Sequence, residues 1–565
     1  MSGFRWPRAL AAVTAAVALA ACAAGCTASS PQAARPPAAT RAAPAPGAGT
    51  ATGGTATGGT AAGTPVAGTP VAGTPAATAK PPATLARYYA QRLAWHACDQ
   101  GFECAQLLVP MDYARPAWRR FTLPVIKLPA AGPARKVGAL VINPGGPGGS
   151  GVQYALAARS QFTANIRDRF DIVGFDPRGV GGSQPAVRCM SGPQLDKFFA
   201  TDDMPANAAQ LATITSESKL YASECAKNAA ALLPYVGTVN AAKDMDVLRA
   251  ALGESALTYL GKSYGTDLGA SYARQFPSRV RALVLDGAVD PSLPGLQLDV
   301  AQASGFESAF GQFTAWCAGQ SGCPFRKNVP GAAAKTAGLI AQASRHPLAS
   351  ELGGDQPADG AMLLTGIASA LYARPEWPTL KSALSEAFGG DGTVLVELAD
   401  ILVERSPNGT YSNLTDVETS VDCVDRPWPR SLTAWRAAAA SAAKAAPLFG
   451  AALVWGSLPC AYWPVTASQS PMWPKSPKSP KSPTSGTMRG RGTGARPILV
   501  VGDLHDPATP YRWAQSLSRQ LTAGVLLGWN GEGHTSYMEG SSCVNDTVDT
   551  YLIILKTPRT GTICS

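Results

Sequence analysis

Histidine is scarce in this chain, with 4 among 565 residues, at His96, His346, His505 and His534. No C-x-x-C pair accompanies them, which argues against a bound metal, and no cofactor is expected. Charge is sparse too, at 15% of residues. The balance is +10, yet there is no Arg/Lys-rich helix and no basic run interleaved with aromatics. Nucleic acid is therefore not an expected partner, and the positive balance reads as a basic, solvated surface. The apolar run near the N-terminus, Ala9 to Ala21, is too short to span a membrane.

What is present begins with that run. Arg5 and Arg8 precede it and small residues follow, the pattern of an export signal within residues 1–26. Cys22 in Leu-Ala-Ala-Cys and Cys26 in Ala-Ala-Gly-Cys resemble lipobox sites, so a lipid anchor at Cys22 or Cys26 is expected. Cleavage among the alanines with free secretion is the alternative; either way the protein is exported, to the cell surface or beyond. Of the 12 cysteines, those after residue 26 fall in neighbouring pairs: Cys98/Cys104, Cys189/Cys225, Cys317/Cys323, Cys423/Cys460 and Cys543/Cys564. An even number in an oxidising compartment reads as disulfides, and sequential pairing is the expectation.

Residues 27–84 are Ala, Pro, Thr and Gly, with a Gly-Thr-Pro-Val-Ala repeat, and lack the large apolar residues a core requires. They read as an extended tether. From Leu85 the composition is globular, and an apolar content of 46% suffices for a core. Ala139–Asn143, Asp171–Phe175, Leu257–Leu260 and Val280–Asp286 read as buried parallel strands separated by helices. Residues 291–494 turn to Ala-rich helical segments, among them Phe306–Gln320, Ala361–Tyr372 and Leu380–Phe388. Strands resume at Pro497–Gly502 and Val525–Trp529. The expected fold class is α/β: a mostly parallel, doubly wound sheet over 85–290 and 495–565, interrupted by a largely helical cap over 291–494. Within the cap, the triple Lys-Ser-Pro repeat of Lys475–Pro483 reads as a solvated loop.

The segment Leu257-Thr-Tyr-Leu-Gly261-Lys262-Ser263-Tyr264-Gly265 is a strand, a Gly-x-Ser-x-Gly turn and the start of a helix. That order is the nucleophile elbow of the α/β-hydrolase fold, with Ser263 as nucleophile. Its base must follow in chain order after an acid. His96 precedes the strands and His346 lies in the insertion, next to Pro347. His534, in a Gly-rich loop after the last apolar strand, has the right place. The acid follows the Pro497–Gly502 strand; Asp506, in Asp-Pro-Ala-Thr-Pro, is chosen, with Asp503 as the fallback and His505 as structural. Oxyanion donors are expected from the Tyr264 amide and from the loop Asn143-Pro-Gly145-Gly146-Pro147-Gly148-Gly149, where Gly146 is assigned and Gly145 is the neighbour that could replace it. The lysine and Ser/Thr of a phosphate loop are missing from it.

These motifs, with Phe175-Asp-Pro-Arg-Gly179, Asp506-Pro-Ala-Thr-Pro-Tyr511, Cys423-Val-Asp425 and Cys460-Ala-Tyr-Trp-Pro464, together resemble the secreted tripeptidyl aminopeptidases. Those form part of the prolyl-aminopeptidase-like branch of α/β-hydrolases. The resemblance runs from about Leu85 to Cys564 and implies serine-dependent release of short peptides from free N-termini. It also implies acidic residues on the cap side that hold the substrate's α-ammonium, for which Glu307 and Asp425 are the candidates. Peptides with free N-termini are thus the expected partners, and the membrane only through an N-terminal lipid. A carboxylesterase or lipase would use the same triad; a non-catalytic cell-wall lipoprotein would have a damaged one. An epoxide hydrolase or dehalogenase would carry Asp at the elbow.

Overall fold

A computed structural model describes residues 82–352, 356–465 and 496–565. The signal, both lipobox cysteines, almost all of the tether and the Lys-Ser-Pro repeat lie outside the described residues. One sheet of 10 strands organises the rest. The strands are β1 (His96–Asp99), β2 (Phe102–Pro110), β3 (Arg120–Leu128), β4 (Gly138–Asn143), β5 (Phe170–Phe175), β6 (Leu257–Lys262), β7 (Val280–Asp286), β8 (Ile498–Asp503), β9 (Gly524–Trp529) and β10 (Thr562–Cys564). They lie in the order β1-β2-β3-β5-β4-β6-β7-β8-β9-β10. From β5 onward every pairing is parallel, whereas β1, β2 and β3 add an antiparallel edge. His96 therefore opens the first strand rather than preceding it.

The central strands β5 to β8 are buried along their whole length apart from single residues at β4 and β7. A strand covered on both faces by helices reads as an apolar run, and these were visible for that reason. The order reverses between β4 and β6, so the loops leaving their carboxyl ends open onto one crevice. Ligands bind at such a switch point in open α/β sheets. Ser263 and the Gly-rich loop both leave strands there.

Between β7 and β8 the described chain forms eight α-helices and no strand. Most of this insertion has its own core, in which Phe306, Phe310, Phe313, Leu363, Trp377 and Phe449 are buried together. The helix Leu414–Asp425 packs Val417, Val421 and Val424 into the core beneath the main sheet. Asn413 at its start donates to Gly179 O (2.7 Å) and Val187 O (2.8 Å), and Asp416 accepts from Cys189 N and Tyr221 Oη, both at 2.8 Å. The Cys423–Cys460 disulfide fastens its far end. The other four disulfides join Cys98–Cys104, Cys189–Cys225, Cys317–Cys323 and Cys543–Cys564, the neighbouring pairs.

Candidate active site

Ser263 sits between β6 and the Tyr264–Gln275 helix with φ 55° and ψ −125°. A left-handed serine is costly and persists only where its surroundings over-determine it. Here its amide donates to Asp286 O at 2.9 Å and its carbonyl accepts from Thr266 N (2.8 Å) and Thr266 Oγ1 (2.6 Å). The turn also needs both flanking glycines. A Cβ on Gly261 would meet Gly265 O at 2.4 Å, and one on Gly265 would meet Asn143 Oδ1 at 2.9 Å.

The partner loops converge on the same point. His534 Nδ1 lies 2.9 Å from Asp506 Oδ1 and 3.0 Å from Oδ2. Asp506 is buried and accepts four further bonds, from the amides of Ala508, Thr509 and Thr535 and from Thr509 Oγ1, at 2.7–3.1 Å. So many donors stabilise a carboxylate anion in the interior. Asp503 is placed otherwise. It has no exposed surface, its Oδ1 accepts from His505 N at 3.0 Å, and its Oδ2 has no hydrogen-bond partner among the described residues. Burial first, and then the neighbouring Asp506, raise its pKa to about 8. The structure brings Asp506, not Asp503, to His534. His505 bonds Gln312 at 2.8 Å on the outer side of the same turn.

His534 Nε2 is buried and has no hydrogen-bond partner among the described residues. It is not bonded to Ser263, but the two are neighbours across Gly287. A Cβ on Gly287 would stand 3.2 Å from His534 Cε1, and Gly287 directly follows the Asp286 carbonyl that holds Ser263. Asp286 ties the loop down as well, its carboxylate accepting from Ser536 N (3.0 Å) and Tyr537 N (2.9 Å). Lys262, buried beside the nucleophile, donates to Tyr537 O at 3.0 Å.

Tyr264 is the first residue of its helix, so its amide has no acceptor within that helix. The Gly146 amide likewise donates to no other group among the described residues. Gly145, at φ 102°, lets the loop approach: a Cβ there would lie 2.8 Å from Ser263 Cβ and 2.7 Å from Lys262 O. Asp176 holds the loop from behind, accepting from Ser150 Oγ (2.5 Å), Val152 N (3.2 Å) and Gly182 N (2.8 Å).

Gly146, Ser263, Tyr264 and Thr509 line one cavity of about 410 Å³ between the sheet and the insertion. Its wall is acidic: Asp203, Glu217, Asp267, Asp299, Glu418 and Asp422 face a single cation, Arg426. Glu217 is paired with Lys197 (2.7 Å) and Asp267 with Arg426 (2.6 Å). No ion pair serves the other four among the described residues. Asp267 Oδ1 and Asp299 Oδ2 are buried without a hydrogen-bond partner. Glu418 lines the cavity. Burial, reinforced by Glu404, raises its pKa to about 7. Burial, then Glu418, drives that of Asp422 well above the usual carboxylate range, and burial does the same to Asp299.

The two carboxylates expected to hold an ammonium are elsewhere. Glu307 accepts from Leu448 N at 2.9 Å inside the insertion. Asp425 accepts from Thr238 N (3.1 Å) and Thr238 Oγ1 (2.5 Å), behind the elbow. Neither lines the cavity. Both accept from backbone donors; Asp203, Asp299, Glu418 and Asp422 are the cavity carboxylates without an ion pair among the described residues.

Comparison with known proteins identifies the family. The α/β-hydrolase fold family matches residues 138–376, and the family described as TAP-like protein matches residues 446–564. Serine protease Hip1 of Mycobacterium tuberculosis is 37% identical over 476 residues, spanning 82% of this chain and 87% of the relative. Tripeptidyl aminopeptidase of Streptomyces lividans is 33% identical, spanning 82% and 83%. Carboxylesterase B of Mycobacterium tuberculosis is 35% identical, spanning 84% and 90%. The chain belongs to the tripeptidyl-aminopeptidase-like family of α/β-hydrolases.

Proposed function

We propose that this protein is an exported serine aminopeptidase that releases short peptides, tripeptides in the first instance, from free N-termini. Ser263 attacks the scissile carbonyl while His534 takes its proton, and Asp506 fixes the imidazole tautomer and stabilises the imidazolium. The Gly146 and Tyr264 amides donate to the oxyanion. His534 then protonates the leaving amine, and water, activated in the same way, releases the acyl group.

One observation carries the choice of aminopeptidase: the cavity that holds Ser263 presents Asp299, Glu418 and Asp422 without a cationic partner. An ammonium entering a closed pocket requires a carboxylate, and these would supply it. Export is supported by five disulfides, which persist in oxidising compartments. Attachment through Cys22 or Cys26 is part of the same reading, and mass analysis of the mature N-terminus tests it. An esterase is the second reading, favoured by the relative named carboxylesterase B. Turnover of a tripeptide anilide compared with its N-acetylated form decides between them. The aminopeptidase loses the blocked substrate; an esterase would prefer an uncharged ester to both.

A further inference from the structure

The histidine of the triad is held from two sides, and one side belongs to the helical insertion. Tyr372, Ala373 and Arg374 follow the Gly360–Leu371 helix and run antiparallel to Glu532, Gly533 and His534. The His534 amide donates to Tyr372 O at 2.7 Å, Ala373 bridges Gly533, and Arg374 Nε reaches Glu532 Oε2 at 3.0 Å. The Tyr372 ring meets the imidazole edge to face, with centroids 5.3 Å apart and planes at 86°. Glycine permits this approach: Gly533 has φ 117°, and a Cβ there would stand 3.0 Å from Tyr372 O.

The other end of this contact is rooted in the insertion's own core. Tyr372 packs on Phe306, with centroids 5.5 Å apart. The Arg374 guanidinium lies over Trp316 at 4.8 Å and Trp377 at 4.2 Å. A hydrogen bond from Nδ1 to Asp506 fixes one edge of the imidazole but leaves the ring able to tilt about that bond. A ring packed against it at right angles restricts that freedom, and Nε2 is the atom whose aim depends on it.

We propose that Tyr372 is a positioning residue for His534, so that the seated insertion aligns the base with Ser263 as well as enclosing the substrate. The proposal rests on His534 acting as the base, but not on which substrate is cleaved. Labelling by a fluorophosphonate, which needs only the Ser263–His534 machinery, is therefore the primary readout, with kcat and KM for a tripeptide anilide beside it.

Tyr372→Leu is expected to lower the labelling rate and kcat by about 10-fold with KM unchanged, the scale of a modest misalignment. Tyr372→Phe, which keeps the ring, is expected to rescue both. Glu532→Ala breaks the Arg374 pair on the loop side without touching the insertion's core, and is expected to slow labelling about 3-fold. It decides the matter should Tyr372→Leu not fold. Folded Tyr372→Leu labelling at the wild-type rate overturns the proposal, as does Phe as slow as Leu, or Glu532→Ala at full rate. His534→Ala is expected to abolish labelling; labelling that survives there would instead overturn the role given to His534.

Discussion

Replacing Asp422 by Asn tests how the cavity recognises an N-terminus. Asp267, Asp299 and Asp422 stand near Arg426, which pairs with Asp267. Burial raises the pKa of Asp299 and of Asp422, with Glu418 adding to the second, so both carboxyls hold a proton more readily here than in water. An arriving ammonium favours the ionised carboxylate, so binding releases a proton. Affinity for a free N-terminus should then rise with pH while the carboxylate ionises more easily. It should fall again above about 8, where a peptide α-amine loses its own proton. The N-acetylated peptide has no such cycle. Breaking a buried ion pair costs about 3–5 kcal/mol, and a remaining Asp299 would reduce that to about 2–3 kcal/mol. The expected loss in kcat/KM for Asp422→Asn is thus about 30–150-fold on the free tripeptide anilide. Steady-state kinetics from pH 5.5 to 9.5 on free and acetylated substrates measures both effects. Equal losses on the two substrates, or a flat pH profile of KM for the free amine, would refute the reasoning.

Four further outcomes follow from the same geometry. Asp506→Asn should lower kcat about 10³–10⁴-fold, because an amide cannot accept at every position its oxygens now serve. Asp503→Asn should change kcat by less than about 3-fold, and thermal unfolding should show its other effect. The folded pKa of Asp503 lies above its unfolded value, so this group costs the native state stability as pH rises from about 4 to about 8. The Asn variant should accordingly gain on wild type along that interval, read as Tm at pH 5 and pH 8.5. Gly145→Ala should abolish labelling of Ser263, since its Cβ would stand 2.8 Å from that of the nucleophile; unchanged labelling would mean the loop yields freely. Removing Cys423–Cys460, which closes a loop of 37 residues, should cost about 4 kcal/mol in denaturant unfolding. It should also raise KM, because that bond fastens the helix bearing Glu418 and Asp422.

The parts that were legible in the sequence are those whose signal is local. Gly261 and Gly265 announce the elbow because each faces backbone or an Asn143 oxygen that no side chain could avoid. The buried strands β4 to β9 appear as apolar runs because helices cover both faces. The edge strands β1 to β3 were not visible, since β1 is exposed throughout while β2 and β3 mix buried and open residues and contain Pro110 and Pro124. Asp506 and Asp503 are separated by three residues, and composition alone barely distinguishes them. What decides is the turn after β8, which aims the Ala508 and Thr509 amides at one carboxylate, where Thr535 N joins them from the loop after β9, and which leaves an oxygen of the other alone among the described residues.

The acidic wall shows where reading by neighbourhood fails and reading by phase would have succeeded. Asp425 drew attention because it adjoins Cys423, yet on a helix a residue's role is set by its angle, not by its neighbour. In Leu414–Asp425, Val417, Val421 and Val424 mark the face packed below the sheet, and Asp416 and Asp425 share that burial, each held by donors from the hydrolase side. Thr415, Glu418, Thr419 and Asp422 recur at i, i+3, i+4 and i+7, and all four line the cavity. A polar stripe at helical spacing is usually a solvated face. Here the buried apolar stripe grips the hydrolase domain through Asn413 and Asp416, so the polar stripe is turned inward, toward Ser263. The same helix therefore supplies two kinds of carboxylate. Those in phase with the valines bond the hydrolase domain, and those out of phase line the cavity.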